Sequence, residues 1–401
     1  MSNTNEPHAA AASLPLAGIN VLDFGHTVMG PTAGLILADL GARVVRVERP
    51  QGDPTRTLKG FGAGFFGYLN RNKESLAIDL KDPECRPVME AAFQWADVVI
   101  ENFGPEVMDR LGYGYEHVRA INPRLVYCSL KGFLPGPYQN RPALDEIVQM
   151  MGGLAYMTGP RGQPLRAGAS IVDMGGGMFG VIGILAALRA RDTSGQGTLV
   201  SSALYETTAF LVGQHIAMNQ LGQTPVVPMV ERTQAWGVYD LFDCADGQVF
   251  VGITSDAQWE RFCRAFGLDA LAADLGLHTN SQRVTARPQF LPVLAEHLRR
   301  RTVAEVEQAC VGAGVPVAPV RTPLDLVDDP HLQANGSLLD VAYDQVKATL
   351  PALPVRLGTQ QPEVRMQPQP VGAQTRTVLS EWGIDPAVAE ALLDAGKVRS
   401  A

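Results

Sequence analysis

The sequence is poor in cysteine and histidine, and it lacks the motifs in which these residues carry chemistry. Its five cysteines are scattered and form no CxxC pair, its seven histidines are dispersed, and neither HExxH nor GxSxG occurs. Zinc hydrolysis and an α/β-hydrolase triad are therefore without support, and we expect no bound metal. An odd set of scattered cysteines is typical of reduced thiols, which predicts a cytoplasmic protein.

Positive charge and long apolar runs are also scarce. The 33 Lys and Arg are outnumbered by 41 Asp and Glu, and the formal net charge of −8 argues against broad nucleic-acid binding. The longest helix-compatible apolar run covers 178–188, which is too short to cross a bilayer. Residues 1–14 lack a basic segment followed by a long apolar one, so we predict a disordered tail and no signal peptide there. We expect neither a nucleic acid nor a membrane as a partner.

The chain is rich in alternating strand and helix signals. Helices are predicted between successive strands, and the strands cover 19–25, 43–50, 75–80, 97–103 and 124–133. This alternation is typical of parallel strands joined by right-handed crossovers. It predicts an α/β fold with a Rossmann-like open parallel sheet.

The composition of the sequence changes near residue 222, where proline becomes frequent. A DG turn signal at 245–247 then predicts a hairpin in a smaller α+β domain. The predicted organisation is a large domain over 15–221, a linker over 222–235, the small domain over 236–325, and a linker with a return to the large domain over 326–401.

One stretch, ASIVDMGGGMFGVIGILAALRA at 169–190, places an acid just before three consecutive glycines. An apolar helix is predicted after it, from Met178 to Arg191. Asp173 could simply cap this helix, because Asp is a favoured N-cap and negative charge is stabilised there. Three glycines fit that interpretation poorly, since glycine costs roughly 1 kcal/mol in a helix and a cap needs one special residue. The three glycines indicate backbone without side chains that a large ligand can approach.

Other motifs are weaker. GHTVMGPT at 25–32 has Pro31 where a phosphate loop needs lysine, and GAGFFG at 62–67 follows no strand. Asn102 and Phe103 lie at the end of a predicted strand. Their amide and aromatic ring are suited to binding a base or a pantetheine arm. Basic residues that could together form an anion site also lie near predicted strand ends. These are Arg49, Arg56, Arg71, Lys73, Arg110 and Lys131.

Taken together, these segments resemble the class III CoA-transferases, relatives of formyl-CoA transferase and carnitine CoA-transferase. The resemblance extends from about 15 to 400 and includes LAGINVLDFGHTVMGPTAGLILADLGARVVRVERPQGDPTR, YLNRNKESLAIDLKDPE, DVVIENFGPEVMDRLGYGYEHVRAINPRLVYCSLKGF, DMGGGMFGVIGILAALRARDTSGQG and TRTVLSEWGI. It implies transfer of CoA between acyl-CoA and small carboxylic acid substrates, with no permanently bound cofactor. It also implies an interlocked homodimer.

The resemblance assigns roles to individual residues. The family's nucleophilic aspartate falls on Asp173, and the loop over 26–29 would lie near the thioester. Contacts with CoA are implied for Val28, Arg49, Leu69, Asn70, Asn72, Lys73, Asn102, Phe103 and Arg110.

Departures from the family pattern bear on the substrate. Val28 stands where formyl-CoA transferases carry glutamine, and 222–260 contains no glycine-rich lid. The stretch 141–168 is closer to relatives that act on C4–C5 dicarboxylates, so we expect a donor such as succinyl-CoA or mesaconyl-CoA. Arg166 is then the candidate for holding the distal carboxylate. Asp145 is either a second polar group near the site or a helix cap.

The resemblance implies a covalent mechanism in which Asp173 carries CoA. The carboxylate would attack the acyl-CoA carbonyl to give a mixed anhydride, and the released thiolate would then form an aspartyl-CoA thioester. In this interpretation the glycines let pantetheine approach, and their N–H groups stabilise oxyanions.

Three alternatives stay open. An α-methylacyl-CoA racemase would need a histidine in a GHD segment, and this chain reads ALD there, with Leu144 at the histidine position. CoA could instead move between the two carboxyls of one C4–C5 dicarboxylate. A CoA-binding protein without catalytic activity would use Asp173 only as a cap.

Overall fold

The computed structural model describes residues 14–401, so all but the last residue of the predicted N-terminal tail lies outside the described residues. The chain forms two compact units. One comprises the chain up to Val230 together with Pro330–Ala401, and the other comprises Glu231–Asp329. The first unit contains every residue that the sequence singles out for the site.

Strands and helices alternate through most of the described chain. The strands are β1 (Asn20–Asp23), β2 (Arg43–Glu48), β3 (Lys73–Ile78), β4 (Val98–Glu101), β5 (Val126–Lys131), β6 (Leu199–Ala203), β7 (Val238–Asp243), β8 (Gln248–Ile253), β9 (Val317–Pro319), β10 (Leu338–Tyr343), β11 (Val346–Pro351) and β12 (Val398–Arg399). The α-helices are α1 (Met29–Asp39), α2 (Phe65–Leu69), α3 (Arg86–Trp95), α4 (Val107–Leu111), α5 (Tyr115–Ile121), α6 (Asp145–Met151), α7 (Leu154–Thr158), α8 (Ile171–Ser194), α9 (Leu204–Leu211), α10 (Gly213–Gln220), α11 (Asp256–Phe266), α12 (Asp269–Ala273), α13 (Asn280–Arg299), α14 (Val303–Gly312), α15 (Pro330–Ala334), α16 (Thr375–Glu381) and α17 (Pro386–Asp394).

A seven-stranded sheet in the order β12-β3-β2-β1-β4-β5-β6 forms the centre of the first unit. All neighbouring strands are parallel except β12 and β3, which are antiparallel. The predicted α/β fold with an open, largely parallel sheet is confirmed. Because β1 pairs with β2 on one side and with β4 on the other, the crossovers leave it in opposite directions. Open α/β sheets bind ligands at such a switch point, outside the carboxyl ends of the strands.

Helices cover both faces of this sheet, because strands such as VVIE are apolar on both sides. On one face Val45 packs in a core with Phe93 of α3. On the other face Val44 packs in a core with Leu37 of α1 and Ile184 of α8. The sheet therefore fixes α1 and α8 on the same side of the first unit.

Helix α8 begins seven residues before the predicted start at Met178, so Asp173 and the glycines lie within it. Its 24 residues make it, within residues 14–401, the one helix long and apolar enough to cross a membrane by length and composition. The expectation that no apolar run reaches that length is thereby corrected. Because α8 packs on α1, β5 and β6 around a buried core, packing accounts for the apolar character of its inner face.

The second unit has a three-stranded antiparallel sheet in the order β7-β8-β9, with helices packed on it. Its hairpin turns at 244–247, where the DG signal predicts a turn. Trp259, Phe262 and Leu294 are central to its core. This unit has its own sheet and its own core, as a separate folding unit requires.

Candidate active site

The loop after β1 is tied to the end of β4 by the side chain of Asn102. Asn102 Oδ1 accepts the His26 N–H at 2.8 Å, and Asn102 Nδ2 donates to the His26 carbonyl at 3.0 Å. The His26 ring stacks on Phe103 with 5.3 Å between ring centroids. Three residues that the sequence singles out are thus brought together at the switch point between β1 and β4.

This loop is held in a demanding conformation. Thr27 has a φ of 64°, in the left-handed region that residues other than glycine rarely adopt. A Cβ on Gly30 would lie 2.5 Å from the Gly25 Cα, so the two ends of the loop touch. Burial lowers the pKa of His26, and its Nδ1 is buried without a hydrogen-bond partner among the described residues. A neutral imidazole is therefore fixed at the entrance to α1.

Lys73 stabilises the loop after β1 by three hydrogen bonds. Its Nζ donates to Asp23 Oδ2 at 2.8 Å, to the Pro31 carbonyl at 2.9 Å and to Asn70 Oδ1 at 3.1 Å. The ammonium is 1% exposed, and burial lowers the pKa of Lys73 to about 8 despite the opposing effect of Asp23. Lys73 and Asn70 therefore bind the loop and the start of α1 in this structure, and their contacts with CoA stay predictions.

Asn72 is likewise occupied by the fold. It adopts a φ of 61° and donates from Nδ2 to Asp39 Oδ1 at 2.9 Å. Its Oδ1 accepts the N–H groups of Arg365 and Met366 at 2.8 and 2.9 Å. Asn72 thus anchors the segment that returns to the first unit.

The first turn of α8 is capped by an acid from another helix. Val172 N–H and Asp173 N–H donate to Asp145 Oδ2 at 2.9 and 3.1 Å. Ser170, which precedes the helix, supplies no side-chain cap. Asp145 therefore does for α8 what an N-cap normally does. Of the two predicted roles for Asp145, the structure shows both: it is a cap, and it lies beside the candidate nucleophile.

The carboxylate of Asp173 itself has no hydrogen-bond donor among residues 14–401, although its backbone is fixed. Burial and the neighbouring charge of Asp145 raise the pKa of Asp173 to about 7, while Arg166 acts in the opposite direction. A carboxylate that is largely desolvated and unpaired is more basic and more nucleophilic than one in water. Asp173 is thus suited to attack an electrophilic carbon.

The three glycines after Asp173 serve helix packing. A Cβ on Gly177 would lie 2.6 Å from the Met29 carbonyl oxygen, and one on Gly176 would lie 2.4 Å from Met29 Cε. These glycines let α1 approach α8 closely. Since 175–177 are at least four residues into the helix, their N–H groups donate within it. The interpretation of these N–H groups as oxyanion donors is therefore wrong.

The Arg166 guanidinium is occupied by acceptors of the protein itself. It donates to Glu146 Oε1 at 2.6 Å, to the Ala167 carbonyl at 2.8 Å and to the Ala169 carbonyl at 3.0 Å. It also lies 3.5 Å from Asp145 Oδ1. Because these acceptors surround the guanidinium, the structure favours Arg166 as a support for the α8 entry loop over the predicted role of holding a distal carboxylate.

Val28 and Leu69 meet beside the candidate nucleophile. Both are buried, and with Leu35 they form a small apolar cluster. Met174, the residue after Asp173, packs against this cluster. The structure therefore brings two predicted CoA-binding positions next to the first turn of α8.

The six basic residues near strand ends separate into two groups. Four have a carboxylate partner within the fold, in the pairs Arg56–Glu48, Arg71–Asp39, Lys73–Asp23 and Lys131–Glu101. Arg49 and Arg110 are exposed instead. Arg49 donates to the Gly52 carbonyl, and Arg110 has only a long contact of 3.8 Å with Glu106. These two arginines are the members of the set with room for an anion.

Arg110 also lines a cavity of about 600 Å³. Lys81, Arg86 and Tyr113 contribute to the same walls, and the Arg86 guanidinium lies 5.7 Å from the centre of the Tyr113 ring. Sequence reasoning missed Lys81, although it follows the predicted strand over 75–80, and it missed Arg86, which lies in a helix. Lys81, Arg86 and Arg110 outnumber Asp82, the one acid in the lining, and so give the cavity a positive character.

Leu144 lies just before α6 and is 70% exposed. An aliphatic side chain can neither accept nor donate a proton, so this position supplies no second base. Asp145, the next residue, uses its carboxylate to cap α8. The arrangement gives no support to the racemase alternative.

Comparison with known proteins identifies the family of the chain. A model of CoA-transferase family III matches residues 16–375. The succinate–glutarate CoA-transferase of Agrobacterium fabrum is 32% identical over 82% of this chain and 85% of its own. The acetyl-CoA:oxalate CoA-transferase of Acetobacter aceti is 35% identical over 81% of this chain and 85% of its own. A solved CAIB/BAIF family protein from Brucella suis has a TM-score of 0.83 and 29% identity, over 92% of this chain and 99% of its own. The predicted transferase class is confirmed, and the chain belongs to CoA-transferase family III.

Proposed function

We propose that this enzyme moves CoA from a short dicarboxylyl-CoA, of the succinyl-CoA type, to a free carboxylic acid, with Asp173 as the covalent carrier. The observation that carries the proposal is the Asp173 carboxylate, which is largely buried, has no donor among the described residues and has a pKa raised to about 7. The names of the succinate–glutarate and succinyl-CoA:glutarate relatives support a dicarboxylate.

In the first half-reaction a carboxylate oxygen of Asp173 attacks the acyl carbon of the donor. The C–S bond breaks and CoA leaves as a thiolate, which gives a mixed anhydride between Asp173 and the acyl group. The thiolate then attacks Cγ of Asp173 and expels the donor acid as its carboxylate. The enzyme now carries CoA as a thioester on Asp173.

The second half-reaction reverses these steps with a different acid. The acceptor carboxylate attacks Cγ of the thioester and releases the CoA thiolate. That thiolate attacks the acceptor's acyl carbon in the new anhydride, which frees the Asp173 carboxylate and gives the new acyl-CoA. No water enters the sequence, so the free energy of the thioester is conserved.

The surrounding residues suit these steps. The cluster of Val28, Leu35 and Leu69 excludes water from one side of the α8 first turn. The positive end of the α8 dipole stabilises the negative charge that develops near Asp173. His26 and Asn102 fix the switch-point loop that would face the thioester.

CoA itself would extend from Asp173 along the carboxyl ends of the strands. Phe103 offers a ring at the end of β4, and Arg49 and Arg110 offer charges for phosphates. The positive cavity next to Arg110 suits the nucleotide end of CoA. Asn72 and Lys73 would act by holding the loops that form this surface.

Intact-protein mass spectrometry after mixing with succinyl-CoA tests the proposal. We expect the mass to rise by that of CoA less one water, and peptide mapping to place the adduct on Asp173. Asp173→Asn should give no adduct and no transfer to glutarate, oxalate or acetate. An adduct of equal yield on the Asp173→Asn protein would contradict the proposal.

The alternatives give different results in related assays. A binding protein without activity would take up CoA and form no adduct. A racemase would exchange the α-proton of a 2-methylacyl-CoA in deuterated water. An intramolecular transferase would scramble a ¹³C label between the two carboxyls of the donor even in a large excess of unlabelled succinate, whereas the intermolecular enzyme would release the label into the free acid.

A further inference from the structure

Asp145 is a buried acid placed beside Asp173, which is a partly buried acid. It is 6% exposed, and it follows Leu144 at the start of α6, 28 residues before Asp173. Two neighbouring carboxylates in a partly dry environment repel each other, and this repulsion opposes folding. Such an arrangement needs a compensating interaction, and both oxygens of Asp145 provide one.

The contacts of Asp145 reach two elements. Oδ2 accepts the N–H groups of Val172 and Asp173, which satisfies two donors that the first turn of α8 would otherwise leave open. Oδ1 accepts Gln149 Nε2 at 2.6 Å. The carboxylate is therefore held from within its own helix while it caps another.

Gln149 fixes this geometry further. Its side chain is fully buried, and its Oε1 accepts the Ala167 N–H at 2.9 Å. Helix α6 thus makes hydrogen bonds both with the first turn of α8 and with the loop that precedes α8. Residue 173 has little freedom to move relative to α6 while these bonds hold.

The geometry points to Asp145 as a positioning residue for the transfer reaction: it fixes the Asp173 backbone while leaving the Asp173 carboxylate unpaired, and its charge makes that carboxylate a stronger nucleophile. This inference rests on the proposed function, since it gives Asp145 a task in the same reaction. Asp145 does not touch the substrate in this arrangement.

The charges around Asp173 support the second half of the inference. After burial, Asp145 is the main cause of the raised pKa of Asp173, and Arg166 opposes it. Among the described residues, Asp145 and Arg166 are the charged groups that act on Asp173. Beside the glycines that follow it, α1 contributes Met29 and Thr32 and α9 contributes Thr207. The balance between one acid on α6 and one arginine in the entry loop therefore sets the basicity of the nucleophile.

Three variants test the inference: Asp145→Asn, Asp145→Ala and Asp192→Asn. Asp145→Asn keeps an oxygen that can accept the N–H groups but removes the charge. Asp145→Ala removes both. Asp192→Asn is the control, because it loses the same charge at an exposed position near the other end of α8, away from Asp145 and Arg166.

The measurement is kcat/KM for CoA transfer between pH 5 and pH 9, together with the rate of adduct formation on Asp173. We expect the ascending limb of the Asp145→Asn profile to move to lower pH by about one pH unit, because a like charge is lost. We expect Asp145→Ala to lower kcat about 100-fold with little change in KM, because the nucleophile is misplaced. Asp192→Asn should keep the wild-type profile.

A merely structural role for Asp145 would lower the midpoint of thermal unfolding without moving the pH profile. An unmoved limb in Asp145→Asn would therefore overturn the inference, even if Asp145→Ala fails to fold. So would an Asp145→Ala enzyme with wild-type kcat. If wild-type protein forms no adduct and transfers no CoA, the proposed function fails instead, which is a distinguishable result.

Discussion

At the scale of single residues, the functional surface is marked by the charges that the fold leaves without partners. Lys73 and Lys131 each hold a carboxylate within hydrogen-bond distance. The Asp173 carboxylate has no hydrogen-bond donor among the described residues, and it is only partly exposed to water. Since an unpaired, desolvated carboxylate costs free energy, Asp173 makes the apoenzyme less stable than it could be.

Replacing Asp173 by Asn therefore gives a stability prediction. The pKa of Asp173 in the folded state, about 7, lies above its value near 3.9 in the unfolded chain. The stability of the wild type therefore falls as pH rises between these values, and the full cost is present above pH 7. We expect Asp173→Asn to raise the free energy of unfolding at pH 8 by roughly 2 kcal/mol, with the gain vanishing towards pH 4.

Chemical denaturation of the CoA-free protein at several pH values measures this difference. Asp192→Asn is a suitable control, because Asp192 lies near the other end of α8 and is exposed. That control should show no comparable gain. A pH-independent difference between wild type and Asp173→Asn would contradict the assigned pKa.

The exposed arginines give a binding prediction. We expect Arg49→Gln and Arg110→Gln each to raise KM for the acyl-CoA about tenfold while kcat changes little, because a charged phosphate contact is lost far from the reacting carbon. Steady-state kinetics with succinyl-CoA measures both constants. Arg189→Gln, an exposed arginine on α8, should leave KM unchanged. A wild-type KM in both variants would show that CoA binds elsewhere.

At the scale of elements, α8 organises the site because its glycines contribute no side chain where it contacts α1. The close approach places the first turn of α8 beside the switch-point loop that precedes α1. A larger residue at the crossing would separate the two helices, since the nearest atom to a Cβ on Gly177 is a backbone atom, the Met29 carbonyl oxygen.

We expect Gly177→Ala to lower the free energy of unfolding by about 1–3 kcal/mol and to reduce kcat, because Cβ would lie 2.6 Å from the Met29 carbonyl oxygen. Thermal unfolding and kinetics on the same preparation measure both effects. Gly213→Ala is the control, because its Cβ would meet no atom within 4 Å in α10. If both variants were equally stable, close helix packing would not explain the glycine run.

How far the sequence predicts these elements depends on the distance between interacting residues. The β1-α1-β2 order and the placement of Asn102 at a strand end follow from local patterns, and both agree with the structure. The start of α8 at Ile171 could not be predicted, since its cap comes from Asp145 across 28 residues. Lys73 is similar: as a basic residue near a strand end it resembles a phosphate ligand, but Asp23, 50 residues earlier, binds it.

Among the strands that the sequence did not predict, β6 and β12 have clear physical reasons. β6 is an edge strand whose sequence, LVSSA, alternates weakly and has little apolar content on its exposed side. β12 has only two residues and exists because β3 provides a partner. Short strands of this kind are defined by their neighbours more than by their own sequence.

At the scale of the whole molecule, the outer face of α8 has an unusual composition. Met178, Ile182 and Leu185 recur at helical spacing and are at least one-third exposed. Phe210, whose ring contacts Phe179 of the same helix, is 71% exposed. Contiguous exposed apolar surface of this kind is typical of an interaction site. We propose that a second copy of the chain covers it, in line with the homodimer that the family resemblance implies.

Sedimentation of the purified enzyme tests this proposal. We expect a dimer for the wild type, and a weaker dimer or a monomer for the double variant Ile182→Glu, Phe210→Glu, because charges would be buried in the interface. Leu275→Glu is the control, since Leu275 is 76% exposed and belongs to the second unit. A wild-type monomer at assay concentrations would contradict the proposal.

The pairing of β12 with β3 has a consequence for how the protein is made in the cell. Val398 pairs with Ile78, so the edge of the sheet beside β3 is completed only after the intervening chain, including the whole second unit, has been synthesised. Throughout that interval a nascent chain presents an open strand edge, to which another nascent chain or a chaperone can add a strand. The time a ribosome spends on 79–397 therefore sets how long the polypeptide is exposed to mispairing.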